Sequence, residues 1–190
     1  MKYFSIAFLV ALLGFSASVS ADTREIRGVD VPEEIRVGDD MLTLNGGERR
    51  RRWMMNLYVG SLYLLEPSSD AEAIIQADEP MAITMHITSG MINRDRMVDS
   101  IEEGFEASTG GDTEAVQGHI DELLAAFNKD IEKGDLVELI YSPETGVQVK
   151  HNGEEVGKVK GDMAFKEALF GIWLGENAVQ DSLRKGMLGQ

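Results

Sequence analysis

The chain has 190 residues, with 18 basic against 33 acidic side chains, a formal net charge of −15 and no cysteine. That charge argues against a nucleic-acid surface, because such a coat repels phosphates. The lack of cysteine excludes disulfide staples and a lipidated N-terminal cysteine. The length suits one domain with a real core.

Residues 1–21 read as an export signal. Lys2 gives a positive start, "YFSIAFLVALLGF" an apolar core, and Val19-Ser20-Ala21 a small-residue cleavage site. The apolar core is shorter than the about 20 residues a spanning helix needs. The expectation is a periplasmic domain of residues 22–190 with no integral membrane segment after signal cleavage.

Within that domain "MLTLN" predicts a short strand ending at Gly46-Gly47, and Arg52 to Leu65 a long β-rich run ended by Pro67-Ser68-Ser69. "DAEAIIQAD" predicts a short helix behind a Ser/Asp cap. "MAITMHIT" alternates, with Met81, Ile83, Met85 and Ile87 on one face and Ala82, Thr84, His86 and Thr88 on the other, as in a half-buried strand. Two amphipathic helices follow. Met97, Ile101 and Phe105 stripe the first, and Val116, Ile120, Leu123, Leu124, Phe127 and Ile131 the second. "DLVELIY", "GVQVK" and "EEVGKVK" predict a meander whose second turn, Asn152-Gly153, is a strong hairpin signal. Asp162 caps a helix running to "FGIWLG", and "NAVQDSLRKGML" predicts a last helix with Asn177 as N-cap. Strands and helices are segregated, so the fold class is α+β: a largely antiparallel sheet with helices packed on one face.

Motifs for chemistry are sparse. His86, His119 and His151 stand at no ligand spacing, so no metal site is expected. No phosphate-binding glycine loop, nucleophile elbow or calcium loop is present, and no cofactor is expected. Acid pairs such as Glu102-Glu103 read as solvated residues. Nine methionines beyond Met1 supply adaptable core filling and adaptable pocket walls.

Two longer patterns say more. "LNGGERRRRWMMNLYVGSLYL" leads an Arg-bearing segment into a Y-V-x-G-L-Y-L-type strand. "GDLVELIYSPETGVQVKHNGEEVGKVKGDMAFKEALFGIWLGENAVQDSLRKGMLG" carries GD, Y-x-P, NG and a G-D opening a helix with F-x-x-A-L-F-x-I-W-L-G. Together, from about Ile26 to Gly189, the chain resembles the chalcone isomerase-like family of exported bacterial proteins, which implies the chalcone isomerase fold. In the plant enzymes of that fold a phenolate adds across its own enone. The resemblance implies an arginine for the anionic oxygen, hydroxyls acting on the ketone, and a polar helix face, because the developing enolate charge must meet aligned donors.

Carried over residue by residue, the arginine falls on Arg50 and the strand threonine on Tyr58, where a hydroxyl survives on a larger ring. The tyrosine falls on Asn93, the lysine on Arg96 and the asparagine on Ser100. The hydroxyl of the C-terminal helix falls near Ile172, which has none. Strand geometry sets a further expectation. With no Gly or Pro between Arg50 and Val59, a continuous strand would separate Arg50 from Tyr58 by roughly 26 Å, at about 3.3 Å per residue. Alternation groups Arg50 and Arg52 with Met54, Asn56 and Tyr58. Arg49, Arg51 and Arg52 read as surface partners of local acids.

The sequence thus points to a periplasmic, non-catalytic binder of a small amphipathic or aromatic acid, such as a fatty acid. Arg50 or Arg96 would hold the anionic end, within a ligand set of Arg50, Tyr58, Asn93, Arg96 and Ser100. One alternative is an intramolecular lyase of the chalcone isomerase type, with Arg50 and Tyr58 catalytic. Another is a structural, partner-binding envelope protein.

Overall fold

The computed structural model describes residues 22–190; the export signal expected at residues 1–21 lies outside them. Two antiparallel sheets form. A two-stranded ribbon pairs β1 (Thr23–Ile26) with β2 (Val29–Pro32). A seven-stranded meander runs in chain order: β3 (Glu34–Val37), β4 (Asp40–Arg52), β5 (Met55–Leu64), β6 (Met81–Ile87), β7 (Leu136–Ser142), β8 (Gly146–His151) and β9 (Glu154–Val159). The helices are α1 (Ala71–Gln76), α2 (Arg94–Ser108), α3 (Gln117–Ala126), α4 (Met163–Leu174) and α5 (Asp181–Met187).

Caps explain three of the helix starts. Side-chain oxygens of Asp70, Asn93 and Asp162 accept from the backbone N–H three residues on, satisfying donors that the first turn leaves free. The last helix starts later than the sequence suggests. Its N-cap position is Gln180 rather than Asn177, whose side-chain amide instead donates to the Ala107 carbonyl. α4 is buried along almost its whole length, Phe165 to Leu174, as a helix apolar all round must be. It packs between α1, α2 and α5 on the sheet face that carries Leu62, Ile83, Met85 and Leu139. Each such side chain, taken fully out of water, contributes about 1.5–3 kcal/mol.

The opposite sheet face is covered too. Ile26 and Val31 of the ribbon pack with Leu42, Val59, Tyr63, Ala82 and Ile140 in a second, smaller cluster. Hence Ala82 and Thr84, expected on a solvated face, are buried. Arg27, at the ribbon's turn, ties it to β4 through a bidentate pair with Glu48 at 2.7 and 2.5 Å.

The largest correction concerns the arginine run. The strand around "MLTLN" does not stop at Gly46-Gly47 but continues to Arg52, and the run from Arg52 to Leu65 is not one strand. The chain reverses at Trp53-Met54, so that Arg52 pairs with Met55 and Arg50 stands directly across from Tyr58. Trp53 takes the left-handed φ of 60° that a two-residue hairpin normally assigns to Gly. A β-bulge between the Arg50 and Arg51 pairings leaves Leu57 without a partner on β4. The 26 Å separation is thereby replaced by a cross-strand pair, whose Cβ atoms stand about 4.5–5.5 Å apart.

Candidate functional site

A cavity of about 240 Å³ opens where the Arg-bearing end of β4–β5 meets α2, α4 and the segment before α5. Its walls are apolar: Leu57 from the bulge, Met85 from β6, Met97 and Ile101 from α2, and Ile172 from α4. Gly104 lets α2 approach, because a Cβ there would stand 2.7 Å from the Ile172 side chain.

The polar groups gather at one side. Tyr58 is buried, and its hydroxyl accepts a hydrogen bond from Trp173 Nε1 at 2.9 Å. Burial pushes the phenol's pKa upward, against the smaller opposing effects of the Trp173 bond and the Arg50 charge. Tyr58 is therefore a neutral hydroxyl at physiological pH, and its own proton has no acceptor among the described residues. Arg50, half-buried on the neighbouring strand, donates to the Arg51 carbonyl at 2.6 Å and to Gln180 Oε1 at 3.3 Å. No carboxylate lies within ion-pair distance of it among the described residues. Gln180 locks this corner further, accepting from the Arg51 N–H at 2.7 Å and donating to the Arg49 carbonyl at 2.9 Å. A guanidinium unmatched by an acid, beside a phenol whose oxygen the Trp173 indole holds and whose proton has no acceptor among the described residues, is a donor set for an oxyanion.

At the mouth, Arg52 faces Glu103 at 3.7 Å. Beyond that pair the cavity continues into a groove of about 390 Å³, which shares Leu57, Ile92 and Ser100 with it and adds Trp53, Met91 and Arg96. Two larger depressions, of about 600 and 580 Å³, lie elsewhere. The first has Glu66 and Glu79 and no basic side chain, and the second has four acids against Arg184, whose Nε is taken by the Leu174 carbonyl, whereas the cavity sets Arg50 and Arg52 against Glu103 alone.

Of the residues singled out in the sequence, Arg50, Tyr58 and Ser100 line the cavity and Arg96 lines the adjoining groove, its Nη1 donating to the Met91 carbonyl at 2.8 Å. Asn93 is exposed, and its side chain caps α2. Ile172 contributes hydrocarbon to the wall. Among Arg49, Arg51 and Arg52 only Arg52 forms an ion pair, with Glu103, although the Arg49 charge acts on the neighbouring Glu48. Arg49 donates to the Arg27 carbonyl and Arg51 to Asn56 Oδ1. Trp173 and Gln180 were not anticipated. The "FGIWLG" motif contains the tryptophan, but an indole inside an apolar helix reads as core, and nothing local marks Gln180.

The histidines take unrelated places. The His151 ring meets Asp135 Oδ2 at 2.8 Å, and the His119 ring packs 5.3 Å from Phe165. His86 is half-buried on the other sheet face, where burial lowers its pKa. No group of three metal-ligating side chains occurs among the described residues.

Comparison with solved structures finds the fold in a crystal structure of an Arabidopsis thaliana fatty-acid binding protein. The TM-score is 0.66 and the identity 18%, over 85% of this chain and 92% of that one. No curated protein matches. The profile of the family described as chalcone isomerase-like matches residues 23–189. With nearly every described residue inside that match, and a curled antiparallel sheet carrying five helices beneath it, the chain belongs to the chalcone isomerase-like family and has its fold.

Proposed function

We propose that this protein is a non-catalytic, periplasmic binder of a small anionic amphipath, a fatty acid or an aromatic acid. The carboxylate would sit between Arg50 and Tyr58, and the tail would lie along Met85, Met97, Ile101 and Ile172. The observation that carries this reading is the cross-strand pairing of Arg50 with Tyr58, which sets an acid-free guanidinium beside a phenol already held by Trp173. The fatty-acid binding protein with the same fold supports the ligand class. Drug-sized ligands occupy pockets of about 300–1,000 Å³. A cavity of about 240 Å³ therefore takes a short or medium tail, and a longer one runs out past Ser100 into the groove.

The test is a thermal-shift series of linear carboxylic acids of increasing chain length, with the matching alcohols as controls. The acids raise the melting temperature, the alcohols do not, and Arg50→Ala removes the rise. Binding to the folded state alone stabilises by about 2.7 kcal/mol at a hundredfold excess over Kd. An equal rise in Arg50→Ala would reject the carboxylate site.

The same pairing favours a second reading, an intramolecular lyase for a chalcone-like enone. Arg50 and Tyr58 stand close enough for both to donate to one ketone oxygen. Against it, Asn93 is occupied as a helix cap and Ile172 presents only carbon.

A further inference from the structure

Four large hydrophobic residues are exposed among the described ones, and three of them gather at the mouth of the cleft. Trp53 is 90% exposed and Met54 97%, both in the loop of the β4–β5 hairpin, with Met91 beside them at 41%. Trp53 and Met91 line the same groove. A two-residue hairpin loop is normally built from Gly, Asn or Asp, yet here it presents an indole and a thioether to water, the indole on a backbone of φ 60°. That choice costs conformational energy and covers no core. The charge around it is as unusual. From Arg49 to Leu65 the chain has four arginines and no acid, in a protein with 33 acidic residues, and Arg51 and Arg52 are exposed directly behind the loop.

We infer that the Trp53-Met54 tip docks on an anionic phospholipid bilayer. An exposed indole and an unbranched apolar chain favour the headgroup–acyl boundary, and basic residues immediately behind them are attracted by anionic lipid. The partner is specified by charge. An anionic membrane repels a surface of net charge −15, so approach is favoured through the arginine run, where Arg51 meets no acid, although Arg52 faces Glu103 and Asp99 lines the adjoining groove. None of the described helices is long and apolar enough to cross a membrane, so the contact is a shallow insertion of the hairpin end. The docked orientation would turn the groove beside Met91 toward the lipid. Docking does not depend on what the cleft holds; exchange of an amphipath through that groove would rest on the proposed function.

The experiment uses residues 22–190, which contain every element described above, with sucrose-loaded vesicles of phosphatidylglycerol and phosphatidylcholine or of phosphatidylcholine alone. The protein sediments with the anionic vesicles and not with the zwitterionic ones, and added salt weakens the binding. The double variants Trp53→Ser/Met54→Ser and Arg51→Glu/Arg52→Glu each reduce vesicle affinity by about tenfold or more. All four positions are exposed, so the variants keep the native circular dichroism and melting behaviour. Wild-type protein that stays in the supernatant with both vesicle types overturns the inference, as do variants that bind like wild type. A concentration-dependent dimer that the tip variants abolish, without any vesicle binding, overturns it in favour of contact between copies of the chain.

Discussion

At the residue scale, what distinguishes Arg50 from its three arginine neighbours is the company it keeps. Arg49 and Arg51 spend guanidinium donors on oxygens of Arg27 and Asn56, and Arg52 faces Glu103. Arg50 alone projects beside a buried hydroxyl with no acid to neutralise it. Glu48, two positions earlier, shows the opposite arrangement. The Arg27 guanidinium holds its carboxyl below the usual glutamate range, outweighing the upward push of burial. A carboxylate whose folded pKa is depressed stabilises the fold above its unfolded value, near 4.5, and that contribution is lost as pH falls through the folded value. Wild-type protein is accordingly expected to melt above Glu48→Gln at neutral pH. The gap should close below about pH 4.5, read as two melting curves that converge in acid. A gap that persists unchanged into acid would mean that Glu48 does not act through its charge.

The β4–β5 hairpin and the α1–α4 contact decide most at the element scale. A non-Gly residue in the left-handed region costs about 1–2 kcal/mol, and Gly elsewhere in a strand or helix costs about 0.5–1 in lost freedom. Trp53→Gly should therefore raise unfolding stability by about 0.5–1 kcal/mol in urea, since an exposed indole gives up no burial. The same substitution should lower vesicle affinity. Helix α1 has no basic residue in its last turn, and Lys166 of α4 serves its carbonyls instead. Its ammonium is fully buried and donates to Ile74, Ile75 and Ala77 at 2.6 to 2.9 Å. Lys166→Met would keep the stem's packing and strand those acceptors, a loss of about 2–3 kcal/mol measured by denaturant unfolding. A variant as stable as wild type would show that water reaches the carbonyls instead.

On the scale of the whole molecule, one sheet supports two unequal cores. Its helix-covered face holds the cleft, and its other face is closed by the β1–β2 ribbon. Between them the sheet carries Arg50 and Tyr58 on a single rigid ladder, so the donor set is preorganised without any domain movement. Preorganised donors serve binding as readily as catalysis, and the rest of the cavity decides between the two. Losing one oxyanion donor commonly costs about 10²–10³ in rate. The positions that would supply two further hydroxyls are the exposed cap Asn93 and the apolar Ile172. Absorbance decay of a 2′-hydroxychalcone should therefore follow the same trace with buffer, protein and Arg50→Ala. A saturable rate that collapses in the variant would establish the lyase reading instead.

Where the signal is local, sequence alone determines the structure. The caps at Asp70 and Asp162, the Asn152-Gly153 turn and the α+β segregation each depend on contacts within a few residues, and each is legible as a short motif, whereas Asn93, read as a ligand residue, proved to be a cap. The family likewise was legible, because its patterns from Asn45 to Leu64 and through the C-terminal helix are long. Only the tertiary structure decided the reversal at Trp53-Met54. Nothing in those two residues favours a turn, and the pairing of β4 with β5 on both sides of the bulge holds a backbone that Trp would not adopt alone. Tertiary structure also decided that Arg50 meets Tyr58, that Trp173 from a distant helix holds that phenol, and that Gln180 fixes the corner. These are contacts over 100 residues or more of chain, or across a register set by a bulge. Periodicity places a side chain on a face, but it does not say which side chain of another element stands opposite.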